Sequence, residues 1–220
     1  MGGRGANSGI PRSYPGGGGG GGDNAPMDMM PGSPKTLAEA LGKKGRPMST
    51  RDAIMKANPF YDRARTTREY NENCQRAVIA TEARFRGYDV IAQPTYDGDT
   101  MPSSGNWAKN FVGANVEDVG RTTANAARKA LEEKMRGYGN GARAIMAVYW
   151  KNANSGHVLN VVQRGNNTYY YDGQGGSIVS PKALFDAIRT RETKVARVDN
   201  LGFSDTAKEA IRKTPRNRRK

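Results

Sequence analysis

The sequence predicts an α+β domain with helices first, a mostly antiparallel sheet next and a further helix near the end. Three observations predict it. Capped segments with helical spacing dominate up to about residue 136. The run Ala144 to Trp150 is continuously apolar, as in a buried central strand. Two strand-like segments flank the turn residues Arg164-Gly165-Asn166-Asn167.

The elements follow in order. Residues 1–34 hold 12 of the 28 glycines, including Gly16 to Gly22. Such a stretch cannot bury enough apolar surface to offset its ordering entropy, so residues 1–48 read as a flexible Gly/Pro-rich leader. Within it a short helix is expected over Leu37 to Leu41, broken by Gly42, Gly45 and Pro47. The folded body is expected over 49–213, and residues 214–220 as a basic tail. Ser49 or Thr50 caps a helix through Ala57, with Pro59 beyond it. Asn73 is placed to cap a helix from Cys74 to Arg86, and Gly87 to stop it. Tyr88 to Ala92 reads as a strand closed by Pro94. Residues 93–120 read mostly as loop, with a helical turn from Trp107 to Phe111. Thr122 or Thr123 opens a helix to Arg136, stopped by Gly137. After the central strand come strands over His157 to Gln163 and Thr168 to Asp172. A helix starts at Ser180-Pro181 and runs through Ile188. A last strand is expected over Lys194 to Val198, and a final short helix from Asp205.

Composition excludes several classes. The 220 residues are 36% hydrophobic with net charge +14, and no stretch approaches 18 consecutive apolar residues, so no membrane-spanning helix is expected. The first 30 residues lack the apolar region of a secretory signal. One cysteine excludes intrachain disulfides, and one cysteine with one histidine argues against a structural zinc site. No metal or cofactor is expected. Seven basic and two acidic residues fall in 205–220, a tail suited to nucleic acid or an acidic partner.

The residues suited to chemistry are few. A thiol at Cys74, in the first turn of its helix, feels the positive end of the helix dipole and nearby N–H groups, which favour a thiolate. The same residue also fits a buried helical face with Ala77, Val78, Thr81 and Phe85. His157 opens a strand. With an even hairpin turn, Asp172 on the next strand shares its face, directly opposite or two residues along. A carboxylate beside an imidazole fixes its tautomer and stabilises the imidazolium. His157 would take the Cys74 proton, the thiolate would attack a carbonyl, and the imidazole would protonate the leaving group. Asn71, Asn73 or Gln174 would supply side-chain donors to the oxyanion, beside the Cys74 N–H.

Four stretches then carry a resemblance: Asn73-Cys74-Gln75, Glu82 to Val90, Gly156 to Val162, and Tyr171-Asp172-Gly173-Gln174. From about Asn58 to about Asp199 the chain resembles the papain-fold toxin family, whose best understood members are bacterial effector glutamine deamidases. The resemblance implies a papain-like fold and a Cys-His-Asp triad on Cys74, His157 and Asp172. Gly173 stands where members commonly have proline, which suggests a looser turn before Gln174. Met1 to Gly9 is similar to the start of some phage and mobile-element proteins.

The leading expectation is therefore cysteine-dependent hydrolysis of a protein carboxamide, namely glutamine deamidation by a toxin or effector domain. One alternative is a cysteine peptidase with the same triad. Another is a basic virion- or nucleic-acid-binding protein with an inactive papain-like body, using the tail from Arg212 and the run Tyr169, Tyr170, Tyr171. The partners expected are a protein substrate, an immunity or carrier protein, and a weak nucleic-acid contact through the tail; no membrane is expected. Localisation is expected in the cytoplasm, in a target-cell cytosol after delivery, or with a virion.

Overall fold

The computed structural model describes residues 33–61, 69–95 and 106–215. The leader up to residue 32, residues 96–105 of the expected loop and residues 216–220 of the expected tail lie outside the described residues.

The helices are α1 (Leu37–Leu41), α2 (Thr50–Met55), α3 (Cys74–Phe85), α4 (Ala124–Tyr138) and α5 (Pro181–Ala187). The strands are β1 (Val90–Ala92), β2 (Glu117–Asp118), β3 (Arg143–Tyr149), β4 (Gly156–Arg164), β5 (Asn167–Asp172), β6 (Ser177–Val179), β7 (Lys194–Arg197) and β8 (Ile211–Lys213). Short 3-10 helices cover Asn106–Asn110, Thr190–Glu192 and Asp205–Glu209. This is an α+β architecture with every described strand pairing antiparallel.

Six strands form one sheet in the order β2-β7-β3-β4-β5-β6. Alternation along the strands sends side chains to two apolar layers. Ile145, Val158 and Ala196 pack with Ala77 and Val78 of α3. Ala144, Met146, Val148, Leu159 and Val161 pack with Leu131 and Met135 of α4 and Leu184 and Phe185 of α5. The sheet is therefore covered on both faces, which is why β3 reads as an unbroken apolar run. An ionic lock joins α3 to β3. Arg143 donates from Nε and Nη2 to the fully buried Glu82 carboxylate at 2.8 and 2.9 Å, and Arg86 donates to the same group at 2.7 Å.

Several expectations move. Residues 33–48 are not set apart from the body. Ala40 is fully buried in the layer beneath α3, Leu37 and Leu41 pack against it, and the Gly45 N–H donates to the Gly87 carbonyl at 2.8 Å. Helix α4 runs through Gly137 and ends at Gly139, whose φ of 96° supplies the left-handed stop. The strand near residue 90 does not join the main sheet; it pairs with β8, so Lys194 to Arg197 is not the last strand. Arg212 and Lys213, read as the start of a basic tail, lie in that ladder.

Candidate active site

Three element ends converge: the start of α3, the start of β4 and the end of β5. Gln75 through Phe85 of α3 are all buried, and Cys74 is its one half-exposed residue. The helix start is thus a sulfur-bearing tip on a buried rod.

Asn73 occupies the position before the helix but makes no side-chain capping bond. Its amide is committed elsewhere. Nδ2 donates to Asn58 Oδ1 at 3.0 Å and to the Gln93 carbonyl at 3.1 Å, while Oδ1 accepts from Asn58 Nδ2 at 3.1 Å. An amide so paired buries without an unmet polar atom. The Cys74 backbone N–H, in the first turn, has no intrahelical acceptor.

Register brings His157 and Asp172 together. Strands β4 and β5 pair Arg164 with Asn167 and Asn160 with Tyr171, so the hairpin turn holds the two residues Gly165 and Asn166. The same register sets Asp172 opposite Leu159, two residues along from His157 on the same face. His157 Nε2 lies 3.4 Å from Asp172 Oδ1, a long contact between two buried groups. The ring stacks on Trp150 with centroids 5.7 Å apart and planes 25° apart. The Cys74 sulfur lies near enough to the same imidazole to favour its protonated form.

The electrostatics favour charge on both partners of the hairpin. Burial works against the imidazolium, but the Asp172 carboxylate and the Cys74 sulfur outweigh it and push His157 from 6.5 up to about 10. Burial likewise works against the Asp172 carboxylate. The His157 charge and the N–H groups of Gly175 and Gln174 outweigh it and hold the carboxyl below its ordinary range. Those two donors reach Oδ1 at 3.3 and 2.9 Å.

The turn after Asp172 lies hard against α3. A Cβ on Gly173 would fall 2.1 Å from Thr81 Oγ1 and 3.1 Å from the Ala77 carbonyl. The turn expected to be loose is thus a close approach that only glycine fits. Gln174 follows, buried, with Nε2 donating to the Asn71 carbonyl at 2.8 Å and its own carbonyl accepting from Asn58 Nδ2 at 3.1 Å. Of the three oxyanion candidates, Asn73 and Gln174 therefore spend their side-chain donors on neighbouring loops. The third, Asn71, is buried.

Sequence reasoning missed Asn58 and Trp150. Asn58-Pro59 reads as the end of a helix, and Trp150 as the last residue of an apolar strand. Neither local pattern signals a partner that lies far along the chain. Among the described residues, no group of three or more His, Cys, Asp or Glu side chains could hold a metal ion.

Residues 72–177 match the family model described as papain fold toxin 1, glutamine deamidase. No curated protein and no solved structure matches the chain. The matched stretch runs from just before Cys74 to just past the turn that follows Asp172, and so spans α3, the central strands and all three convergent element ends. Over these residues, a little under half of its length, the chain is similar to the papain-fold toxin family of glutamine deamidases.

Proposed function

We propose that the chain deamidates a glutamine side chain of a protein substrate, with Cys74 as nucleophile, His157 as proton carrier and Asp172 as the group that orients His157. The observation that carries this reading is a buried imidazole held between a carboxylate, 3.4 Å from Nε2, and the thiol of the one half-exposed residue of α3.

The chemistry follows from what each group can do. With Nε2 turned to Asp172, Nδ1 is left for the sulfur. His157 takes the thiol proton, giving a thiolate beside an imidazolium. The thiolate adds to the glutamine carboxamide carbon, and the Cys74 backbone N–H donates to the developing oxyanion. His157 returns its proton to the amide nitrogen, the C–N bond breaks, and ammonia leaves. Water, deprotonated by His157, then attacks the thioester; the C–S bond breaks, and glutamate and the free thiol are released. Asp172 keeps the ring in one tautomer throughout and stays ionised.

Mass spectrometry of a protein mixture incubated with the chain tests this directly. Glutaminyl peptides gain about one dalton with loss of ammonia, and the gain disappears with Cys74→Ala. New peptide termini without that gain would instead mean that the leaving group is a peptide amine.

A further inference from the structure

We infer that Asn58, outside the matched segment, is the positioning residue that holds the two halves of the site in register. The inference rests on the Cys74–His157–Asp172 reading and adds to it the part that fixes its spacing.

One half of the site hangs on the loop before α3, whose last residue, Asn73, precedes the nucleophile. The other hangs on the turn after β5, where Gln174 lies two residues beyond Asp172. Asn58 reaches both. Its Nδ2 faces the Tyr70 carbonyl at 2.8 Å, Asn73 Oδ1 at 3.1 Å and the Gln174 carbonyl at 3.1 Å. Its Oδ1 accepts from Asn73 Nδ2 at 3.0 Å. The residue is buried and its own backbone is pinned on both sides: the Ala57 carbonyl accepts from Ala92 N at 2.7 Å, and the Asn58 carbonyl accepts from Tyr61 N at 3.2 Å.

The chemistry of these contacts asks for an amide. Three oxygens need a donor and one N–H needs an acceptor, all in a buried spot. A carboxylate of the same shape would keep the acceptor and set a negative charge against three oxygens. An alkyl side chain would satisfy none of them. Gln174 Nε2 adds a second tie through the Asn71 carbonyl, but it spans from one side only. Without Asn58, the Cys74 helix start and the Asp172 turn keep the Gln174–Asn71 bond and the close approach at Gly173 but lose the tie that fixes their spacing, and proton transfer between Cys74 and His157 needs them near hydrogen-bond reach.

Alkylation of Cys74 by iodoacetamide, followed against pH in the full chain, tests the inference without a substrate. The comparison set is wild type, His157→Ala, Asn58→Ala and Asn58→Asp, each checked for fold by circular dichroism. Both Asn58 variants are expected to lose about tenfold or more of the neutral-pH rate, as a displacement near 1 Å can cost, and to take on the pH profile of His157→Ala. A folded Asn58→Ala with the wild-type profile overturns the inference and leaves the triad standing. A wild-type profile that already matches His157→Ala overturns the triad reading and the inference with it. Where the variants do not fold, wild-type hydrogen exchange decides. Asn58 side-chain amide protons as slow as the buried backbone of α3 support the inference; rapid exchange overturns it.

Discussion

Two helix starts in this chain are built in opposite ways. Helix α4 begins with Thr123, whose side chain accepts from Ala126 N at 3.2 Å. It buries only Ala127, Leu131 and Met135, a stripe of period four, and carries the surface pairs Arg128–Glu132 and Lys129–Glu133. Helix α3 has no side-chain cap and buries every residue after Cys74. Its charged residues are tied into the fold: Glu82 accepts from Arg143, and Arg84 donates to the exposed Asp89 carboxylate and to the Val90 carbonyl. A helix held by its own sequence can cap itself. Helix α3 is held at its start by the rest of the fold instead, here through Asn58, Gln93 and Gln174.

The largest expected effect breaks the α3 start itself. Cys74→Ala removes the nucleophile and His157→Ala the proton carrier, and each is expected to lower deamidation by about 10⁴-fold or more. Asp172→Asn, which only misorients the ring, leaves more activity than either. Losses within such a unit do not add, so Cys74→Ala with His157→Ala is no worse than Cys74→Ala alone. Steady-state deamidation by the four variants checks this. Retained activity in Cys74→Ala would sink the assignment, since nothing could form the acyl-enzyme.

Next comes the close approach beside α3. Gly173→Ala drives a methyl into Thr81 Oγ1 and the Ala77 carbonyl, and is expected to cost about 1–3 kcal/mol of stability as overpacking does. Activity should fall as well, because Asp172 moves with the turn. Adding Thr81→Ala removes the nearest atom and should restore part of both. Thermal melts and deamidation rates of the single and double variants provide the check; a Gly173→Ala chain with unchanged melting would mean that the turn is not held against α3.

How far the sequence disclosed this site follows the same division. His157 and Asp172 could be placed on one face because an even hairpin turn fixes strand parity, a local rule, while Cys74 was joined to them through its place at a helix start and the family resemblance. The apolar run of β3 and the cap of α4 were equally local. Asn73 looked like a cap because its type and position fit one, yet a partner fifteen residues upstream claims its amide. Strand β1 has three buried residues and pairs with β8 about 120 residues later, and the two-residue β2 and three-residue β6 carry too few positions for periodicity to show. What stayed hidden depends on contacts between distant segments.

A pH series sharpens the contrast. His157 is raised from 6.5 to about 10 when folded, so the stability it contributes is complete below pH 6.5 and is lost as pH rises through about 10. Asp172 is lowered, so its contribution is present above its ordinary value of 3.8 and is lost as pH falls through its lower folded value. Tyr138 and Tyr170, both raised above 10, add an alkaline loss only at the top of that range. Melting temperature is therefore expected to decline between pH 6.5 and 10 in wild type and to stay flatter in His157→Ala. Equal alkaline slopes would mean that the imidazolium is not what the buried site stabilises.

The smallest expected effect tests the other helix. Thr123→Ala deletes the hydroxyl that accepts from Ala126 N and leaves an N–H of the first turn of α4 to water. The expected cost is about 1 kcal/mol, the usual worth of such a cap, because the rest of α4 stays packed on the sheet through Leu131 and Met135. Iodoacetamide reactivity of Cys74 should not change, since α4 packs on the face of the sheet opposite α3. Denaturant unfolding measures the first outcome and alkylation the second. The two helix starts are independent if stability falls while the alkylation profile holds. A shifted profile would mean that strain at α4 reaches His157 along β4, whose Leu159 packs on α4, and the separation drawn between the two helices would fail.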